Sequence, residues 1–397
     1  MAFRISHVCT HWNQIAQSTP LLWTGPIAVG GSRCADIPED AVDGMRGWLA
    51  RSAPLSVPVS IEAVRRVQTQ RTEGIPAIFE ELLKISPRWY SLTIRGPHSP
   101  AFLKRLSHHE KDSLEEVDLG WSVDSLCDSA TVLSLGATPR LRRVSMTSST
   151  RFVIPFAQLT TLALTCAEFL PDASLDILAQ CGNLVEASFY VSSWIELPVP
   201  RTDILTLHHL RTLSLDVFID SRYFAPFLNG ICAPALEKFC LASSATIVWP
   251  ETLTAFQLRS PNITLLEIRY SAPTSDDLRV ALSHAPLLTH LELIDCLEID
   301  DALIHTLHYS DGVTPLVPRL RSLILDVRAN VLSENVMASM IASRWWTDEQ
   351  LASLSRPPAV ARWTHVRLKH VFSDSFVDTM KDLHRQGLDM GTQKTQY

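Results

Sequence analysis

LTHLELIDCLEIDDALIHTL, residues Leu288 to Leu307, holds one complete α/β repeat in twenty residues. Leu288, Leu291 and Leu293 form an L-x-x-L-x-L hexad, the spacing of a short strand in a parallel ladder. Cys296 falls in the turn that follows. Ile299, Leu303, Ile304 and Leu307 then recur at helical spacing and predict an amphipathic helix. Apolar first, fourth and sixth places recur from Trp89, Leu114, Leu141, Leu159, Leu184, Leu210, Leu236, Ile263, Leu288, Leu320 and Trp363. Their start points are separated by 25, 27, 18, 25, 26, 26, 27, 25, 32 and 43 residues. Seven of those ten steps fall between 25 and 27, inside the roughly 20–29 residues of a leucine-rich repeat. The spacing predicts a leucine-rich-repeat solenoid of α/β class, a curved parallel sheet with outer helices.

Composition narrows the classes. A single core stops growing near roughly 250–300 residues, so 397 residues imply several domains or a repeat array. Hydrophobic content of 46% with 19% charged residues excludes global disorder. A net charge of −7 without a basic block argues against nucleic acid as the main ligand. There is no apolar run of bilayer length, so no membrane partner is expected. Eight cysteines without a C-x-x-C pair suggest a reduced cytoplasmic or nuclear protein.

The first 29 residues differ from the array. Val8, Cys9, Trp12, Ile15 and Ala16 share a helical face, and Pro20 ends that helix before Leu22 and Trp23. The string VCTHWNQIAQSTPLLW resembles the second half of an F-box, whose helical domain binds a Skp-type adaptor. The Leu-Pro-x-Glu helix that usually opens an F-box is not in the given sequence, which makes the likeness one to an N-terminally truncated F-box: either the sequence starts inside the motif, or the chain keeps a remnant with weakened adaptor contact. The resemblance implies adaptor-binding roles for Val8, Cys9, Trp12, Ile15, Pro20, Leu22 and Trp23. A small helical cap using Trp12 and Trp23 for packing is the alternative.

Residues 30–88 read as irregular first α/β turns of the same solenoid. They hold helices near Glu39–Arg51 and Ile75–Ile85, with PLSVPVSI between them. Pro58 points to an edge strand there. The array runs over 89–372. Its ninth places, Ser122, Ser149, Ser192, Ser244, Ser271 and Cys296, suit a strand-to-helix turn. Asp172, Asp276 and Asp301 lie at expected helix starts, where free amides favour a carboxylate. A helix is expected from Ser333, and paired prolines Pro357 and Pro358 mark an insertion without helix. Residues 373–397 should form a capping helix closed by Gly387 and a disordered tail, DMGTQKTQY.

No phosphate loop, nucleophile elbow or zinc-ligand spacing occurs, so no catalytic, metal or cofactor residues are expected. His108, His109, His208 and His209 read as surface histidines, and cysteines 166, 181, 232, 240 and 296 as packing. Trp345 and Trp346 are either an exposed patch or partly core. What remains is a surface. The third, fifth and seventh places of each hexad point to the concave face of a solenoid. Candidate partner-binding residues there are Glu116, Asp118, Arg143, Glu186, Tyr190, Lys238, Glu267, Arg269, His290, Glu292, His365, Arg367 and Lys369. Glu267 and Glu292 should lie side by side, and the last strand should be basic.

Most of the chain resembles the F-box-like leucine-rich-repeat proteins expanded in mushroom-forming fungi, with RWYSLTI at Arg88–Ile94 and the SRWW run adding to the likeness. The resemblance implies a substrate receptor of an SCF-type ubiquitin ligase, monomeric outside its complex, without cofactor or covalent chemistry of its own. An adaptor-independent leucine-rich-repeat scaffold is the alternative.

Overall fold

Hexads at near-constant spacing need a neighbour on each side to bury their apolar places, and the chain folds so that each finds one. A computed structural model describes residues 7–31, 39–63, 77–95, 100–120, 133–147, 152–166, 171–192, 194, 203–218, 221–243, 249–327, 332–369 and 372–393. The chain divides into two units, Met1–Glu168 and Phe169–Tyr397.

The first unit stacks β1 (Ile27–Gly31), β2 (Val57–Ala63), β3 (Trp89–Arg95), β4 (Glu116–Asp118), β6 (Arg143–Thr147) and β8 (Thr161–Cys166) in chain order, each parallel to the last. Helices α1 (Thr10–Ser18), α2 (Glu39–Ser52), α3 (Ala77–Lys84) and α4 (Pro100–His108) intervene. A separate pair, β5 (Leu133–Ser134) with β7 (Phe152–Val153), is also parallel. The 18-residue step from Leu141 to Leu159 is short because a 3-10 turn, Phe156–Gln158, stands there in place of an α-helix. Pro58 departs from expectation: β2 is paired on both sides, by β1 and β3. The ladder tolerates the missing N–H because the β2–β3 register shifts between Val57 and Pro58.

The second unit repeats the scheme with β9 (Glu186–Val191), β11 (Thr212–Val217), β13 (Lys238–Ser243), β14 (Leu265–Arg269), β15 (His290–Cys296), β16 (Ser322–Val327), β17 (His365–Lys369) and β18 (Asp389–Gln393). Its helices are α5 (Pro171–Gln180), α6 (Ser221–Asn229), α7 (Trp249–Arg259), α8 (Ser275–Ser283), α9 (Asp301–Leu307), α10 (Glu334–Ser343), α11 (Asp348–Ser353) and α12 (Asp374–Arg385). A two-stranded pair joins β10 (Leu205–Thr206) to β12 (Ile231–Cys232). Two expectations are corrected. The tail was expected to be disordered, but Asp389–Gln393 pairs in register with His365–Lys369, extending the ladder by a strand that carries no hexad. Ahead of the paired prolines, α11 forms because Thr347 and Gln350 build a capping box, and it ends at Ser353.

Every first, fourth and sixth place of the eleven hexads is at most 3% exposed. Each large apolar side chain so buried contributes roughly 2 kcal/mol relative to exposure. The backbone repeats as strictly as the side chains. The carbonyl of the second-place residue accepts from two consecutive amides of the next strand, as Glu115 does from Arg142 and Arg143, and Thr264 from Thr289 and His290. Second-place threonines add a hydroxyl to the same carbonyls: Thr160, Thr264, Thr289 and Thr364 donate to Arg142, Glu237, Thr264 and Arg321. Two arginines close the loops. Arg88 donates to Leu49 and Leu55 carbonyls, and Arg344, 1% exposed, to those of Val317 and Leu320. Each guanidinium gives these carbonyls a donor that the ladder does not supply.

Candidate functional site

Two surfaces collect the residues singled out by sequence. At the N-terminus, Cys9 is the N-cap of α1, the helix stops at Ser18, and Pro20–Trp23 forms a 3-10 turn. Ala16 and Trp23 are buried together, with Trp23 Nε1 donating to the Ala16 carbonyl at 2.6 Å. Trp48 meets Trp23 edge-on at 5.1 Å, and the Arg51 guanidinium lies 4.7 Å from its ring. Val8, Cys9, Trp12 and Ile15 remain exposed beside this clasp, as does Leu21, while Pro20 and Leu22 are half-buried. The predicted adaptor-binding set therefore splits: Trp23 is spent on the core, and Trp12 with Ile15 faces outward.

On the first unit's sheet, Glu116 and Arg143 are direct register partners, as are Asp118 and Ser145. Arg143 donates to Glu116 at 3.1 Å and to the Tyr90 hydroxyl at 2.9 Å; these two bonds raise its pKa. Asp118 takes Arg95 at 3.3 Å and the Gly120 amide at 3.0 Å. Gly120 sits at φ +52°, where a Cβ would come within 3.1 Å of the Ile94 carbonyl, so the turn requires glycine. All three sequence-named residues are engaged with neighbours in half-exposed positions, pairings of small energetic weight.

On the second unit's sheet the register aligns three rows. The third places run Glu186, Thr212, Lys238, Leu265, His290, Ser322, His365 and Asp389. The fifth places run Ser188, Ser214, Cys240, Glu267, Glu292, Ile324, Arg367 and Gly391. The seventh run Tyr190, Asp216, Ala242, Arg269, Ile294, Asp326 and Lys369. Glu267 and Glu292 are side by side as expected. Glu267, however, is only 3% exposed. Arg269, two residues on and on the same face, pairs with it, and Cys240 Sγ donates to it at 3.0 Å. That carboxylate is roofed over rather than offered to a partner. Burial and the Glu267 contact push the Cys240 thiol up to about 12, so it stays protonated.

The basic strand is largely neutralised. His365 meets Asp389 at 2.8 Å and Lys369 meets Asp326 at 2.9 Å, both acids missed in the sequence reading. Arg367 lies flat over Gly391, whose Cβ would come within 3.1 Å of its Nε, and makes no ion pair among the described residues. Sequence reasoning also passed over Asp216 and Phe218. Asp216 holds the seventh place of the Leu210 hexad, where the outward parity already used would have found it. Asp389 had no such signal, because its strand lacks a hexad.

Elsewhere, a groove of about 500 Å³ is lined by His305, His308, Val313 and Val336 on α9, α10 and the loop that follows α9. Trp345 is buried and Trp346 half-buried, so the SRWW run is mainly core. Ser122, Ser149, Ser244 and the Cys166 side chain lie outside the described residues, whereas Ser271 and Cys296 bond nearby carbonyls as their turn position predicts. Among the described residues no group of three potential ligands could hold a metal ion, and no helix is long and apolar enough to cross a membrane. No protein-family model and no curated protein matches the chain.

Proposed function

We propose that this chain is a protein-interaction receptor of the F-box leucine-rich-repeat kind, the substrate-recognition subunit of an SCF-type ubiquitin ligase. The array of hexads is read as leucine-rich repeats whose open face holds a target protein, while the N-terminal segment holds a Skp-type adaptor. The receptor supplies proximity between target and ubiquitin-charged enzyme, with no covalent step of its own. One observation carries the reading: Trp12 is 48% and Ile15 38% exposed on α1, beside Val8 at 67% and Leu21 at 72%. Four large apolar side chains in one short segment form a patch of the sort that marks a protein interface. Co-purification of the full chain with a Skp-type adaptor tests it. Wild type should be retained, and Trp12→Ala with Ile15→Ala should weaken retention at least tenfold without lowering the thermal midpoint. Failure of the wild type to bind contradicts the proposal.

A second reading, an adaptor-independent scaffold with an N-terminal cap, is favoured by the burial of Trp23 against Ala16 and Trp48. Trp23→Ala should cost about 3 kcal/mol of stability in either case. Only the scaffold expects Trp12→Ala to change nothing in the co-purification.

A further inference from the structure

The sheet face of the second unit over β9–β15 carries unequal charge. Its outward rows hold Glu186, Asp216, Glu267 and Glu292 against Lys238 and Arg269, four acids to two bases. Arg269 is committed to Glu267, so its charge cannot also serve Asp216 and Glu292 fully. Asp216 is half-buried and its carboxylate receives no hydrogen bond among the described residues. Burial pushes its carboxyl up; Arg269 offsets this in part, and Glu267 adds to it.

Space and aromatic surface adjoin that carboxylate. Its neighbours across the register, Tyr190 on β9 and Ala242 on β13, bracket it with a ring on one side and a methyl group on the other. The fifth-place row beneath is Ser188, Ser214 and Cys240, all small, so the sheet is shallow there. Phe218, 40% exposed, packs on Tyr190 with ring centroids 5.3 Å apart. A cationic side chain reaching Asp216 would set its charge on that carboxylate and beside the faces of the Tyr190 and Phe218 rings. Such a contact adds cation–π attraction to the ion pair.

We infer that this face docks a basic segment of a partner protein, with an Arg or Lys side chain seated between the Tyr190–Phe218 pair and Asp216. The inference rests on the receptor reading above and names the chemistry of its target. Charge complementarity of this kind selects partners and speeds encounter.

Panning a random twelve-residue peptide display library on the full chain tests it, followed by anisotropy titration of the enriched peptides. Enriched peptides should carry net positive charge. Asp216→Asn with Glu292→Gln should weaken them at least tenfold, with the thermal midpoint unchanged, and Phe218→Ala several-fold. Enrichment of acidic or neutral peptides, no enrichment, or affinity indifferent to these substitutions would overturn the inference. Adaptor co-purification is scored separately. If basic peptides bind while the adaptor does not, the ligase role falls and the docking face stands; the converse pattern removes the docking face alone.

Discussion

Lys111 shows how the hexad spacing bears on single positions. The third residue before every hexad but the one at Leu159 is buried, as at Ser86, Thr138, Cys181, Ala233, Ala285 and Val317. Before most hexads its carbonyl receives the amide of the first-place residue, closing a turn. Lys111 makes that same bond with Leu114 yet is only 2% exposed, a lysine where other hexads are preceded by small or apolar residues. Its ammonium donates to the His109 carbonyl, and burial pushes its pKa from 10.5 down to about 8. The native state therefore holds this proton less tightly than the unfolded chain. Below about pH 8 both states are protonated and the full penalty applies. Between there and 10.5 the unfolded chain binds more protons, so stability rises with pH. Lys111→Met should stabilise by about 1–2 kcal/mol at pH 7 and abolish that rise. Urea denaturation at pH 7 and pH 9.5 checks both, and a destabilised variant would contradict the account. Nothing in the hexad pattern announces this residue, because periodicity marks apolar places and Lys111 looks like an ordinary loop lysine.

Between elements, the helices of the second unit are stitched at their N-termini by a row of carboxylate–serine bonds. Ser275 donates to Asp300 at 2.5 Å, Asp301 accepts from the Ser333 amide at 2.7 Å and from its hydroxyl, and Glu334 accepts from the Ser373 amide at 2.6 Å and from its hydroxyl. Asp301 and Glu334 thus hold the entry to the helix after their own, whereas Asp300 at the start of α9 reaches back to the start of α8. The sequence placed Asp172, Asp276 and Asp301 in first turns correctly, because a dipole argument needs only position along one helix. It did not find who caps whom. Thr274 and Asp277 cap α8, Asp300 caps α9, Asp276 pairs with Arg279, and Asp301 reaches across to Ser333. That choice depends on helix-to-helix distance, which a one-dimensional pattern does not contain. Asp301→Ala should cost about 1 kcal/mol, and a double-mutant cycle with Ser333→Ala should show most of that as coupling. Additive effects in denaturation experiments would mean the row is incidental.

Over the whole molecule, the strand order, parallel sense and register within each unit were legible, because outward and inward places alternate with period two and the hexads carry the count. The outward residues were found for the same reason. Which of them remain available to a partner was not, since Glu267 is covered by Arg269, and Asp326 and Asp389 neutralise Lys369 and His365. Side-chain reach decides those outcomes. The central claim is that successive hexads lie side by side, so that their outward residues form rows across each sheet. Spin labels on the second unit test this directly, by pulsed electron–electron resonance between Glu186→Cys and either His290→Cys or His365→Cys, with each of the chain's eight native cysteines replaced by serine or alanine. At ~4.8 Å per strand the backbone separations should be about 19 Å and at most about 29 Å respectively, each as one narrow distribution once label length is added. Equal distances for the two pairs, or broad distributions without order, would contradict a ladder of neighbouring hexads.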